Sequence, residues 1–355
     1  MSQRTSFAAS FAIALCASST LPAQAGELQR EQLPAETDWV LHVDMEAVVE
    51  SGLYRQAEAA GLLARRDQSE YRDHFLAELE FEGAEDFERV LLLHDFDPFE
   101  DFKSLTLFGT LDEETSAVVL FQFGPKAQDI LADLRAQPEH LTIDHGGFAF
   151  DAWLEDGSEV NGYLFALPVS EDGTMTIAVS EERAALLQAA RVLNGELASI
   201  ASVTQGSAPA LRARAGAGSF VYVEVAGSMP GMDAGDPASC VFSSARAMRF
   251  DVGEQDGLFL AQLSLQTDDA DEARRVSQVI QGVVALGSLA ASDSPDSQVF
   301  AEFADGVNVS ARDSELIADF EMESSRMVQL ASEHRERRRA KREAKSKERE
   351  ATSPR

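Results

Sequence analysis

Cysteine is almost absent: of 355 residues only Cys16 and Cys240 carry a thiol, and Cys240 alone lies beyond residue 25. No intramolecular disulfide is then open to residues 26–355, so burial has to hold the fold together. Cys240, between Pro237 and the apolar pair Val241 and Phe242, reads as a small buried thiol, with an intermolecular bridge as the alternative. Long apolar runs are missing too, and no stretch approaches the roughly 20 residues that a membrane-spanning helix needs. Gly-x-Ser-x-Gly, Ser-x-x-Lys and His-Glu-x-x-His do not occur, which leaves nucleophilic serine and zinc-peptidase chemistry without a footing. Gly216 and Gly218 follow Arg214 without the Lys and Ser or Thr of a phosphate-cradling loop.

Positive charge is scarce, with 30 Lys and Arg against 61 Asp and Glu, a net of −31. What exists is concentrated at one end: from His334 onward ten Lys or Arg meet four Glu, whereas residues 26–333 hold 57 acids and 19 bases. A body this negative repels phosphate backbones and anionic headgroups over about a Debye length, which disfavours nucleic acid as its partner. Solubility is the plain reading of that charge.

The N-terminus, by contrast, carries a definite signal. Arg4, the short apolar run Phe7 to Leu15 and the small-x-small site Ala23-Gln24-Ala25 form the pattern of a cleaved export signal. Cleavage would leave Gly26 as the first residue and send a soluble protein to the periplasm or outside the cell. Cys16 follows Leu15 rather than a small residue, so cleavage at Ala25 is preferred to lipid attachment.

Strand and helix signals then alternate. Trp39, Leu41, Val43 and Met45 interleave with Val40, His42, Asp44 and Glu46, the period of a strand. A helix is predicted over 46–65, and another over 70–80. Ser104 to Gly109 and Ala117 to Phe123 read as a hairpin, Pro125 opens a helix, and strands follow at 141–143, 148–154, 160–166 and 175–179. Ser180 is placed as the cap of a helix that stops at Gly195.

A second series repeats that order: a strand at 220–225, a hairpin of 247–252 with 258–265 around Asp256-Gly257, and a long helix after Asp269. A further hairpin is predicted for 299–303 with 307–311 around Asp305-Gly306, with Asp313 capping a closing helix. The chain is thus divided into a signal peptide (1–25), a first half (26–204), a connection (205–218), a second half (219–333) and a basic tail (334–355). The expected fold class is α+β: two related halves from an internal duplication, each an antiparallel sheet with helices on one side, plus a helical or disordered tail.

Leu33-Pro34 with Thr37 to Asp44 resembles the start of a family of exported bacterial proteins of unknown function. Ser104 to Gly109 and Gly253-Glu254-Gln255-Asp256-Gly257 resemble two of its later segments. The resemblance implies export and architecture, and brings no catalytic residues.

Candidate chemistry rests on three polar knots: His42 with Asp44 on one strand face, His94 with Asp95 and Asp97, and Asp144 with His145. Each also reads as a solvated or turn histidine. Acidic clusters at 97–101, 233–236 and 268–272 invite calcium but lack the alternating ligands of a twelve-residue loop, and Asp268 and Asp269 suit the first turn of a helix. No catalytic residue, cofactor or metal ligand is assigned. Arg335, Arg337, Arg338, Arg339, Lys341, Arg342, Lys345, Lys347 and Arg349 alternate with Glu along a helix continuing the closing one, so the tail alone points to a partner, an anionic envelope component, with nucleic acid, the acidic body itself or a plainly solvated, frayed terminus as the alternatives. Function by exclusion is therefore a non-enzymatic exported binding or structural protein. The rivals are a hydrolase with its site between the halves and a carrier of an apolar ligand.

Overall fold

The computed structural model describes residues 26–63, 93–97, 99–111, 117–155, 159–203, 211, 215–216, 218–227, 242, 245–290 and 302–352. The predicted helix over 70–80, the acidic cluster at 233–236 and Cys240 lie outside them. Twelve strands form one antiparallel sheet. In chain order they are β1 (Trp39–Asp44), β2 (Phe102–Gly109), β3 (Val118–Phe123), β4 (His140–His145), β5 (Phe148–Glu155), β6 (Glu159–Ala166), β7 (Met175–Ser180), β8 (Ser219–Ala226), β9 (Ala247–Gln255), β10 (Leu258–Gln266), β11 (Val307–Arg312) and β12 (Glu315–Glu323). Their lateral order is β11-β12-β10-β9-β8-β1-β2-β3-β7-β6-β5-β4. In place of a separate sheet for each half, β1 and β8 pair from Trp39↔Val225 to Val43↔Val221 and make the two continuous. An unpaired β1 and an unpaired β8 would each expose a row of amides and carbonyls, and their pairing removes both edges.

The faces follow from register. On the front, Trp39, Leu41 and Val43 of β1 line up with Leu105 and Leu107 of β2 and Val119 and Phe121 of β3. On the back, Val40 and His42 sit with Thr106 and Phe108 of β2, Tyr222 of β8 and Leu120 of β3. Helices α1 (Met45–Val49), α2 (Gly52–Ala59) and α3 (Lys126–Arg135) belong to the front, where Val48 and Ile130 join Val43, Leu105 and Leu107 in one core. Helix α4 (Arg183–Leu193) lies on the back, its Leu186, Ala189 and Ala190 against Phe108, Leu120, Phe150 and Tyr222.

The layer arrangement thus differs from the expected one, with helices on both sides of the first half rather than on one. Strand β2 is buried at all but one of its eight residues, so it needs cover on both faces, and the small residues of α4 let that helix approach the back closely. Beyond β8, α5 (Ala270–Ala290) covers the front through Val276 and Ile280 against Met248, Leu265, Val309 and Leu316. The closing helix α6 (Ser324–Thr352) runs on from β12 and touches α2, β10 and β12.

Three local expectations also change. The predicted 46–65 helix is broken at Ser51, whose hydroxyl caps α2 by accepting from Tyr54 N at 3.1 Å. Near the end of the chain, residues 302–305 form a helical turn rather than a strand, and β11 pairs with β12 instead. Asp313, with φ of 52°, sits in the β11–β12 turn and caps no helix. The Asp256-Gly257 hairpin forms as expected, with φ of 53° and 79° as its turn type requires.

Candidate functional site

The most concentrated buried polarity lies on the back of β1, β2 and β3. His42 is 2% exposed, with Nδ1 2.8 Å from Thr106 Oγ1 and Nε2 2.8 Å from the Gly26 carbonyl oxygen. A carbonyl only accepts, so Nε2 carries the proton and donates to Gly26, and Nδ1 accepts from the Thr106 hydroxyl. Burial lowers the His42 pKa to about 4, opposed in part by the Gly26 carbonyl, so the ring is neutral at pH 7.

Asp44 ends β1 and begins α1, its Oδ1 accepting from Ala47 N at 2.7 Å. Burial raises its pKa to about 7, with the carboxylates of Glu46 and Glu27 adding to the rise and the Ala47 and Glu46 amides opposing it. Its strand neighbour Ser104 donates to Gln122 Oε1 at 3.1 Å, extending the polar band across β2 and β3. The lid over this band is the segment 26–33. That segment is held down where Ile200 N donates to the Leu33 carbonyl, and Leu33 itself is fully buried.

The other sequence-flagged groups are scattered and occupied. His94 Nε2 is 2.9 Å from Asp133 on the surface. Asp97 Oδ1 accepts from Phe99 N, while Asp101 Oδ2 accepts from Asp97 N and from Lys126 Nζ at 2.9 Å, so this acidic loop is closed by its own amides and one ammonium. Asp144 and His145 are consecutive on the edge strand β4 and point to opposite faces. In the 268–272 cluster Asp268 pairs with Arg246, Asp271 with Arg274, and Asp269 caps α5 by accepting from Glu272 N. Among the described residues no group of three or more His, Cys, Asp or Glu is placed to hold a metal ion.

Two constellations were not visible in the sequence. Asp151, buried on β5, accepts from Arg135 Nε and Nη2 and from His140 Nε2 at 2.6–3.1 Å, with Trp153 against the histidine ring. Glu254, buried at the end of β9, accepts from Leu53 N at 2.9 Å and from the Ser324 hydroxyl at 2.8 Å, tying α2 and α6 to the sheet. The only advance signal was its place in the Gly253 to Gly257 segment. There Gly253 faces the Gly218 carbonyl so closely that a Cβ would come within 2.3 Å.

No family model matches the chain, and no curated protein matches it. Among solved structures it is similar to crystal form III of TP0453, at 9% identity and a TM-score of 0.38 over 88% of this chain and 100% of that one. Form IV gives 10% and 0.39 over 87% and 97%, and form I gives 10% and 0.37 over 88% and 99%. Likeness at this level transfers no property of that protein. Among the described residues no helix is long and apolar enough to cross a membrane.

Proposed function

We propose that this is an exported, non-enzymatic protein of the periplasm or cell envelope that acts by binding or as a structural element. The observation that carries the reading is the state of His42: both ring nitrogens are taken by Thr106 and Gly26, and the ring is buried. A general base needs a nitrogen that can reach a substrate proton, and here the chain itself fills both positions. Asp151 and Glu254 are likewise engaged by arginine, histidine, serine and backbone groups, which is how ionisable residues are held when they organise a core.

Export rests on the Arg4 to Ala25 pattern and on the resemblance of Leu33 to Asp44 to exported bacterial proteins. Two related halves are supported by strand order. Outward from the β1–β8 pair, β1-β2-β3-β7 and β8-β9-β10-β12 follow the same scheme, with α3 and α5 leaving the third strand of each and β4 and β5 as the addition. The basic end of α6 is the proposed contact to an anionic envelope component.

The test has three arms. Cell fractionation with intact-mass measurement is expected to find a protein beginning at Gly26 outside the cytoplasm. Ester, phosphate and glycoside panels are expected to show no turnover that His42→Ala abolishes, whereas such a turnover would establish the hydrolase. Capture of anionic envelope polymer by the full chain, lost on truncation after Glu333, is the expected partner result.

A further inference from the structure

Gly26 is buried and its carbonyl holds His42. A Cβ on Gly26 would meet Asp44 Oδ1 at 1.9 Å and Cγ at 2.5 Å, so only glycine lies flat against this carboxylate. Within one residue N and the Cβ position are about 2.5 Å apart, which puts the Gly26 nitrogen no more than about 4.4 Å from Asp44 Oδ1. The other groups facing Asp44 are the Ala47 and Glu46 amides, the carboxylates of Glu46 and Glu27, and the neutral His42 two residues away. Lys103, the nearest ammonium of β2, is spent on Glu46 at 3.1 Å. A buried carboxylate beside two like charges thus has, among the described residues, no ion pair of its own.

We propose that Gly26 is the docking residue of the processed chain: after cleavage of the Ala25–Gly26 bond its α-ammonium seats on the buried carboxylate of Asp44 and locks segment 26–33 over the back of the sheet. This rests on the export reading above. Water hydrolyses the peptide bond, leaving a carboxylate on Ala25 and, with the proton released, –NH₃⁺ on Gly26. An uncharged amide with one N–H becomes a cation with three, beside a buried carboxylate that has, among the described residues, no ion pair. A free α-amino group titrates near about 8, and a carboxylate at contact distance raises that value while lowering its own. The uncleaved chain cannot make this pair, so the processed form is the more stable one.

Four proteins test it: the chain from Gly26, the same chain retaining Ala25, and each with Asp44→Asn, a substitution that preserves helix capping. With Asp44 present, the Gly26 form is expected to melt several degrees above the Ala25 form, and NMR titration of its ¹⁵N-labelled amine to give a pKa above about 8. In the two Asp44→Asn proteins both differences should close. Equal melting temperatures together with an amine that titrates as a free terminus overturn the lock, wherever the leader is cut. A secreted protein whose mass begins at another residue overturns the export premise instead, and with it the lock as a device of the natural protein, even if the recombinant forms differ.

Discussion

The sheet has two wings, one on each side of the β1–β8 pair, and the described residues cover more faces of one than of the other. In the wing from β1 to β4, α1, α2 and α3 close the front while α4 and segment 26–33 close the back. In the wing from β8 to β11, α5 covers the front, and on the back the described residues place polar side chains that satisfy one another. Arg249 donates to Gln262 at 3.2 Å, Gln262 to Asp319 at 2.7 Å, and Ser264 to Glu315 at 2.7 Å. The same scaffold therefore holds ionisable groups in two ways: His42, Asp44 and Asp151 are buried in the first wing, while Arg249 and Asp319 on the back of the second are only half-buried, although Glu224 and Glu254 on β8 and β9 are buried as well.

That contrast sets the scale of what substitutions should do. Phe150 is fully buried in the two-sided wing, between α4 and the back of the sheet, and Phe150→Ala is expected to cost about 3–5 kcal/mol in urea unfolding. Phe320 lies on the front of β12, half-buried beside Phe259 and Phe303, and its truncation should cost about 1–2 kcal/mol. Since β1–β8 pairing makes one sheet, both variants should unfold in a single transition. Two transitions would instead show wings that melt separately.

Next in size is the Asp151 cluster. Asp151→Ala strands His140 and the inward end of Arg135, whose guanidinium still reaches water, so a loss of about 2 kcal/mol is expected. Asp151→Asn, which keeps an acceptor, should recover part of it.

How far this was legible depended on whether the cause was local. The alternation of Trp39 to Asp44 gave β1 and the shared face of His42 and Asp44, and Asp256-Gly257 gave its hairpin, because period and turn chemistry reside in neighbouring residues. Leu316, Ala318, Phe320 and Met322 also alternate, yet Asp305-Gly306 imitated a turn signal and drew the hairpin one element too early. Arg135, His140 and Asp151 converge only because β4 and β5 fold back under α3, and the seat of Gly26 on Asp44 needs segment 26–33 to cross the back of the sheet. Neither leaves a trace at any fixed spacing.

The pH dependence of stability should come largely from the two-sided wing. The His42 ring has a folded pKa of about 4 against 6.5 unfolded, so the unfolded chain binds more protons between those values. Its contribution is present above pH 6.5 and is lost as pH falls toward 4, by up to about 1.4 kcal/mol per unit. Asp44 has the opposite sign. With its pKa raised to about 7, it contributes stability below pH 3.8 and loses it as pH rises through 7. In the chain retaining Ala25 the two slopes should nearly cancel between pH 4 and 6.5. In the chain from Gly26 only the His42 slope should remain, and His42→Gln should flatten it in urea titrations at stepped pH.

The smallest expected effect is the sharpest probe of the back of the second wing. Asp319 accepts from Gln262 and is only half-buried, so Asp319→Ala leaves an amide that water can reach, and the change in unfolding free energy should stay within about 0.5 kcal/mol. A buried donor deprived of its partner costs about 1–3 kcal/mol. A value in that range would mean that the back of β9, β10 and β12 is closed over in solution as the back of β1, β2 and β3 is. The two wings would then differ in what covers them, not in whether they are covered. A value near zero, beside the loss at Asp151, keeps the asymmetry between the sealed Asp151 cluster of the first wing and a polar row on the back of the second that faces water.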